Sequence, residues 1–556
     1  LTASTTDRLE IIPLGGAGDI GKNMVALRYA DDIIVVDAGV QFPGEEHPGV
    51  DLIIPDFSYL EENAEQFRAI LLTHGHEDHI GAVPHVLKSL NVPVYGTPFT
   101  IGLVRAKLDE HRILGTSKLH TWVPGDRVTI GAFTIEPIHV THSIPDSVCL
   151  AITTPVGLVI HTGDFKVDQT PVDNRHFDAG RLAQLGDQGV LLLISDCVNA
   201  ERPGWNPSER IVGEVFDHWF READGRVIVT TFSSNIHRVQ QVFEYARKHG
   251  RRVAIVGRSM ERNAEIAREL GFLHYHDGMR MRLEDAESAD PREVVLVTTG
   301  SQGEPMSALT RMSNDEHKIK IREGDTVILS SRPIPGNENA VYRTVNRLFR
   351  LGARVIYDDI ATVHVSGHGR QEELKIMYRL TRPKFIMPFH GEPRMMVAYE
   401  DMVTTMGHNP EDIFFVEIGD RLSLSAADAR MEEPLETYGS ILVDGYSEGG
   451  VSEYILRDRR HLSTGGTVIV TVAIDHANGD ILEGPEIISR GFLTPEDAAP
   501  LFTEAAAMLD EMLQEMPPDE ESDVDIVKQA LRDNLSRFLR KRTGQRPVVV
   551  PIVIEI

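Results

Sequence analysis

Only two cysteines, Cys149 and Cys197, occur in 556 residues. A disulfide framework is therefore excluded, and a reducing cytoplasm is the expected compartment. Both cysteines lie in apolar, strand-like contexts and are expected to be buried rather than reactive. No run of about eighteen apolar residues occurs, so no transmembrane helix and no membrane partner are expected. The amino end lacks a basic stretch followed by an apolar one, so no secretory leader is expected. Low-complexity tracts and repeats at solenoid spacing are missing too. Positive charge is scarce: 56 Lys and Arg stand against 84 Asp and Glu, a formal charge of −28. Taken alone, that balance argues against a non-specific nucleic-acid binder, because phosphates are repelled at long range. It does not exclude a basic groove on an acidic particle, or metals that change the local sign.

What the sequence does have is concentrated in Leu-Leu-Thr-His-Gly-His-Glu-Asp-His-Ile-Gly, residues 71–81. His74, His76, Asp78 and His79 follow the apolar run Ala69-Ile70-Leu71-Leu72, which reads as a buried strand. Imidazole and carboxylate are the ligands of borderline divalent metals. Four of them on one turn are too many for a single closed site shared with distant partners, and suit two metals. A polar turn that is merely rich in histidine is the bland alternative. His142, Asp164 and His390 each close a strand-like run and are the candidates for the remaining ligands. The expected division puts His74, His76 and His142 on one ion and Asp78, His79 and His390 on the other. Asp164 bridges, because a carboxylate has two oxygens where an imidazole has one usable lone pair. Glu77 is read as solvated. Asp37, closing Ile33-Ile34-Val35-Val36, is expected to orient a ligand histidine. A helix over about 80–90 follows the loop, with Pro84 near its first turn.

The length implies about three or four domains. Gly15-Gly16-Ala17-Gly18-Asp19-Ile20-Gly21 forms a tight loop but not a dinucleotide fingerprint, since its spacing is wrong and a strand-like run follows. From about residue 207 strands and helices alternate regularly, which predicts a parallel sheet with helices on both faces. Histidines at strand ends resume with Val363-His364-Val365-Ser366-Gly367-His368-Gly369 and Phe389-His390, so this doubly wound segment reads as an insertion. A polar connector after about Ser425 leads to a third domain. There strands over 467–473 and 481–482 flank a turn at Asn478-Gly479. Two amphipathic helices, 496–516 and 524–541, are separated by the acidic run 519–523, and a β-branched strand closes at 548–554. The expected divisions are 1–206 and 361–430 for the metal-binding domain, 207–360 for the insertion, 431–449 for a linker and 450–556 for the last domain.

With these residues in view, the His-x-His-x-Asp-His loop together with His142, Asp164 and His390 resembles the metallo-β-lactamase superfamily. The insertion, with Asp196 before it and Ser366-Gly367-His368-Gly369 after it, is similar to the β-CASP nucleases. The glycine-rich opening and the carboxy-terminal domain make the whole chain resemble the bacterial ribonuclease J family. The resemblance implies an α/β fold: a metallo-β-lactamase αββα sandwich, an inserted doubly wound β-CASP domain and an α+β carboxy-terminal domain. It implies 5′-to-3′ exonucleolytic and endonucleolytic cleavage of RNA, leaving a 5′-phosphate, in RNA processing and decay. The implied cofactors are two divalent ions per subunit, zinc first, with Mn²⁺ or Mg²⁺ as alternatives for activity. The implied partners are single-stranded RNA, preferably 5′-monophosphorylated, a second or fourth copy of the chain, and an RNA-degradation complex. The family pattern also assigns phosphate contacts to His364, Ser366, the backbone at Gly367, Ser233 and Asn235.

In the expected mechanism Asp78 orients or deprotonates the attacking water. His368 serves as general acid or stabilises the leaving oxygen. Asp196 orients His368 or helps hold the metal-site geometry. The alternative for His368 is a structural histidine in a glycine turn. Ser233 and Asn235 at a helix start form an anion site or an ordinary cap. Arginines of the insertion, among them Arg258, Arg262, Arg343, Arg347 and Arg350, are expected to supply a basic channel, with some on plain solvated faces. Three rivals stand beside the ribonuclease: a small-molecule lactamase or thioesterase, a β-CASP DNA nuclease, and a scaffold that has lost catalysis.

Overall fold

Leu9, Ile11, Val25, Leu27, Ile34, Val36, Ala69 and Leu71 recur at every second position of their strands. Period two places them on one face of a sheet. In the computed structural model, which describes residues 8–44, 46–304, 306–334, 337–445, 447–475, 481–516 and 524–556, that sheet has eight strands. In order these are Ala429–Glu432, Arg421–Leu424, Leu9–Gly15, Met24–Tyr29, Asp32–Val36, Phe67–Leu71, Pro93–Gly96 and Lys118–Thr121. A second sheet of six strands runs Phe385–Phe389, Val190–Asp196, Gly157–His161, Val148–Thr154, Phe133–His139, Val128–Ile130. Its inward residues, including Phe133, Ile135, Leu150, Ile152, Leu192, Ile194 and Met387, share one core with the first. Each such side chain, fully buried, stabilises by about 1.5–3 kcal/mol. A hydrogen bond contributes about 1 kcal/mol net, so this shared interior is what joins the sheets.

The outer face of the second sheet, including Ile138, Cys149, Ile160, Leu193 and Ile386, packs against Leu182, Leu185, Leu374, Met377, Tyr399 and Val403. These come from the helices Ala179–Gln188, Gln371–Thr381 and Pro393–Thr405. On the first sheet, helix Pro98–Glu110 packs against Pro93–Gly96 and Lys118–Thr121. The result is the αββα sandwich. Cys149 and Cys197 are both buried.

Strands Val190–Asp196 and Phe385–Phe389 are parallel neighbours, yet nearly two hundred residues separate them in sequence. Between them lies an all-parallel five-stranded sheet, ordered Arg252–Val256, Val294–Thr298, Val227–Thr230, Thr326–Leu329, Arg354–Ile356. This is the doubly wound insertion. The expected helix over 80–90 is instead two, Glu77–Ile80 and Val83–Ser89. Pro84 has no N–H and takes a first-turn position in the second, so the chain restarts there. Consequently Asp78 and His79 sit on a helical turn rather than in a loop. The polar stretch after Ser425 includes a strand, Ala429–Glu432, paired antiparallel to Arg421–Leu424.

Residues 43–52 and 442–556 form a second compact unit. Its sheet, Ile481–Arg490, Thr467–Ile474, Val548–Glu555, buries Val468, Val470 and Val472 against Leu509, Leu513, Leu531 and Leu535. Those leucines belong to helices Pro495–Gln514 and Val524–Thr543. Strand Ile481–Arg490 runs well past the two residues expected, and helix Glu453–Gly465 was not expected at all. The turn at Asn478-Gly479 and the acidic run 519–523 lie outside the described residues. Among the described residues no helix is long and apolar enough to cross a membrane.

Candidate metal centre and active site

Strands of both sheets end on the same polar cluster. The Asp32–Val36 and Phe67–Leu71 strands deliver Asp37 and the residues 73–79, Gly157–His161 leads to Asp164, Val190–Asp196 ends on Asp196, and Phe385–Phe389 leads to His390. Close approach of backbones makes this possible: a Cβ on Gly39 would lie 1.6 Å from the Asp78 carbonyl oxygen. Asp37 and His390 both adopt left-handed backbone, with φ of 62° and 52°, a region costly for residues other than glycine. Hydrogen bonds hold both there. Asp37 accepts from Thr73 N and Thr73 Oγ1, each at 2.8 Å, and from His79 Nδ1 at 2.7 Å. His390 Nδ1 donates to Asn23 Oδ1 at 2.8 Å.

All seven residues expected as ligands come together. Ligand atoms of His74, His76, His142 and Asp164 form one group and those of Asp78, His79, Asp164 and His390 a second, all within 4.8 Å of one another in each. Asp164 Oδ2 lies 3.6 Å from His74 Nε2, 3.7 Å from His142 Nε2, 3.2 Å from His79 Nε2 and 3.4 Å from His390 Nε2. The His76 Nδ1 faces His74 Nε2 at 3.0 Å and His142 Nε2 at 3.1 Å. Four rings are pinned at Nδ1. Thr73 Oγ1 spends its proton on Asp37 and so accepts from His74 Nδ1 at 3.0 Å. Asp37 takes His79, the Gly367 carbonyl takes His142 at 2.8 Å, and Asn23 takes His390. Each leaves an Nε2 lone pair aimed inward, as metal-ligating histidines do.

Electrostatics differ between the two groups: against the effect of burial, Asp164, Asp78 and Asp37 raise the His79 pKa well above the usual imidazole range. Burial holds the pKa of His74 and His142 well below the usual imidazole range and pushes His76 down to about 4, so these rings are neutral, the state a ligand needs. Burial works the other way on Asp164, but His390, His79 and His368 outweigh it and keep the carboxylate ionised. Asp164 Oδ1 and His390 Nε2 are buried without any hydrogen-bond partner. An unpaired buried carboxylate oxygen costs several kcal/mol unless a cation satisfies it. The residues fit a divalent metal centre.

Asp78, His368 and His76 are the reachable members: the first two side chains are 31% and 20% exposed and His76 is half-buried, against 3% or less for His74, His79, His142, Asp164 and His390. His368 Nδ1 meets Asp196 Oδ2 at 2.8 Å, and Asp196 Oδ1 accepts from Val198 N at 2.9 Å. The His368 pKa rises to about 9: burial opposes the charged ring, but Asp196 and Asp164 outweigh it. Ser366 Oγ accepts from Asn199 Nδ2 at 3.0 Å and His368 N at 3.1 Å, which leaves its own O–H to donate outward. A Cβ on Gly367 would lie 2.5 Å from His142 Cε1. His364 is held neutral, its pKa pushed by burial to about 3, and its Nδ1 has no partner.

Ser233 and Asn235 stand apart from the cluster, at the start of helix Ile236–Lys248. Asn235 is its N-cap, accepting from Arg238 N at 3.0 Å, and Ser233 Oγ accepts from Asn263 Nδ2 at 3.2 Å. The capping alternative is thus present in the fold. Glu77 is solvent-facing and paired with Lys107 at 2.5 Å. Arg262 is spent on Glu110 and Lys375 on Glu372, whereas Arg343 and Arg350 are exposed. Sequence reasoning missed Thr73, Asn23, Asn199 and Asn206. Asn206 Nδ2 donates to the Ser366 and His368 carbonyls at 2.6 and 3.1 Å. It also missed Arg238, fully buried, which bonds Glu209 and the carbonyl of Val363 beside His364. The only signal for Asn23 was its place next to the glycine loop; the others carry none.

Comparison with known proteins identifies the domains that carry these residues. Residues 32–182 match the beta-lactamase superfamily domain, 224–348 the ribonuclease J beta-CASP domain, 352–414 the Zn-dependent metallo-hydrolase RNA specificity domain, and 454–556 the ribonuclease J C-terminal domain. The chain is 41% identical over 553 residues to ribonuclease J2 of Bacillus subtilis (strain 168), covering 99% of each. It is 43% identical over 561 residues to ribonuclease J of Thermus thermophilus, covering 99% of this chain and 96% of that one. A solved structure of a protein of unknown function from Enterococcus faecalis V583 superposes with a TM-score of 0.54 at 16% identity, covering 75% of this chain and 100% of that one, a likeness of fold alone. Metal-ligand groups, an insertion between neighbouring strands and full-length similarity converge: the chain belongs to the ribonuclease J family.

Proposed function

We propose that the protein is a metal-dependent ribonuclease that hydrolyses RNA phosphodiesters in RNA processing and decay. The observation that carries this reading is the pair of ligand groups sharing Asp164, with His368 and its partner Asp196 on the reachable side. His74, His76 and His142 would hold one ion, Asp78, His79 and His390 the other, and Asp164 both. When bound, two divalent cations neutralise charge developing on the phosphoryl oxygens and make an attacking water acidic near neutral pH. Zinc is the proposed ion, with Mn²⁺ or Mg²⁺ able to serve.

Every other role falls to the chain. Asp78, partly exposed, orients the attacking water and takes its proton. His368 gives a proton from Nε2 to the leaving 3′-oxygen, while Asp196 on Nδ1 keeps the ring turned toward the scissile phosphate. The Ser366 hydroxyl, already accepting two hydrogen bonds, donates its proton to a phosphate oxygen. Gly367 fits because a side chain there would collide with His142. His364, Ser233 and Asn235 complete the grip on the phosphates of single-stranded RNA, preferably 5′-monophosphorylated. The exonucleolytic direction, 5′ to 3′, the endonucleolytic activity, self-association through residues 450–556, membership of an RNA-degradation complex and a cytoplasmic location belong to the same reading. The names of the relatives and the matched RNA specificity domain favour RNA over DNA, and seven intact ligands disfavour a silent scaffold.

The test is incubation of the chelator-treated protein with end-labelled RNA and matched DNA, with Mn²⁺, Mg²⁺ or Zn²⁺ restored. Metal-dependent cleavage of RNA is expected. Cleavage without metal, or of DNA in preference to RNA, would overturn the reading.

A further inference from the structure

The chain has three tryptophans. Trp122 is buried, while Trp205 is 50% exposed. An exposed indole on a loose loop would mean little, but this loop is not loose. Asn199 Nδ2 donates to Ser366 Oγ and to the His368 carbonyl, both at 3.0 Å. Gln371 N donates to Arg202 O at 3.1 Å and Glu372 N to Gly204 O at 3.2 Å. Asn206 donates through N to Glu373 Oε2 at 2.8 Å and through Nδ2 to Ser366 O at 2.6 Å. Residues 199–206 and the loop carrying His368 are thus one hydrogen-bonded body. Within it Asn206 is half-buried against the His368 loop and Trp205 faces solvent. The backbone that carries the indole is therefore preset, and less ordering entropy is lost when something covers it. Arg202, three residues earlier on the same loop, is exposed as well. An exposed, flat π-face on a loop that also carries a cation suits a nucleobase, and does so for any base.

The geometry points to Trp205 as a stacking platform for a base of RNA flanking the scissile phosphate. This rests on the ribonuclease reading above and extends it to a substrate-binding residue outside the metal centre and the phosphate-binding loop. The pairing is sequence-tolerant, because every base offers a π-face.

The test compares the full-length protein with Trp205→Ala and Trp205→Phe on 5′-monophosphorylated single-stranded RNA, intact or carrying one abasic nucleotide at successive positions near the cleavage site. Trp205→Ala is expected to raise KM by about 5- to 100-fold with kcat nearly unchanged, and Trp205→Phe to recover most of the loss. At one position an abasic site should weaken the native protein by a similar factor and leave Trp205→Ala unaffected. An unchanged KM in Trp205→Ala overturns the proposal. So does a loss that Phe fails to repair and that adds to every abasic site equally, which is the pattern of a structural role. If the native protein cleaves no RNA with any divalent metal, the ribonuclease reading and this one fall together. RNA cleavage with Trp205→Ala unimpaired removes only this one.

Discussion

Asp164 Oδ2 lies within 3.2–3.7 Å of four imidazole nitrogens, and what surrounds those rings decides whether they can serve a metal. Gly367 gives the sharpest test. Gly367→Ala would drive a methyl group into His142 Cε1, 2.5 Å away, at a site whose ring cannot yield without losing its bond to the Gly367 carbonyl. The variant is expected to lose metal from the His74 group and with it RNA cleavage, while circular dichroism stays native; full metal content by mass spectrometry would refute the argument. His368 separates two roles. Asp164, Asp196 and His368 also form a cluster able to hold a metal, so a ligand role competes with proton donation. As a general acid, His368→Ala should cut kcat by about 10²–10⁴-fold, leaving RNA affinity and metal content alone. Loss of an ion in that variant would make His368 a ligand instead.

At the scale of elements, the candidate ligands that the fold brings together could be read from sequence because they are chemically special and follow strand ends. Of their supports, the acids Asp37 and Asp196, which close strand-like runs, are legible in the same way, but the neutral ones are not. Thr73, Asn23 and Asn199 are ordinary polar residues whose partners come from strands far away in sequence, and pairing of distant strands leaves no local trace. The helical turn under Asp78 and His79 was hidden for another reason: it is closed locally by the His76 and Glu77 carbonyls, and four residues are too few to show a helical period. Asn235 had two readings because a cap and an anion site use the same residue type at the same place. The most consequential omission was Arg238. Its guanidinium, fully buried, bonds Glu209 Oε1, the Ser330 carbonyl at 3.1 Å and the Val363 carbonyl at 2.8 Å, and so joins the inserted sheet to the irregular segment that carries His364, where no strand forms. Arg238→Met would strand a buried carboxylate, for which about 3–5 kcal/mol of stability is expected to be lost. Denaturant unfolding that differs by less than about 1 kcal/mol would show that this ion pair does not hold the junction.

For the whole molecule, a charge of −28 and an RNA substrate are compatible under the proposed reading, in which recognition is local: bound metals, the Ser366 hydroxyl, backbone groups and scattered arginines would grip a phosphate chain that the rest of the surface repels. The unit containing residues 442–556 buries its own core on two long helices, so its removal should leave the catalytic unit folded. Deleting residues after 445 is expected to lower the assembly state measured by light scattering; an unchanged mass would remove the self-association role. The most direct measurement counts metals by native mass spectrometry on samples also assayed for RNA cleavage. Two ions per native chain are expected, one after His142→Ala, one after His390→Ala and none after Asp164→Ala, with cleavage lost in all three. A single ion in the native chain, or two retained by Asp164→Ala, would contradict a centre in which two ligand groups share that carboxylate.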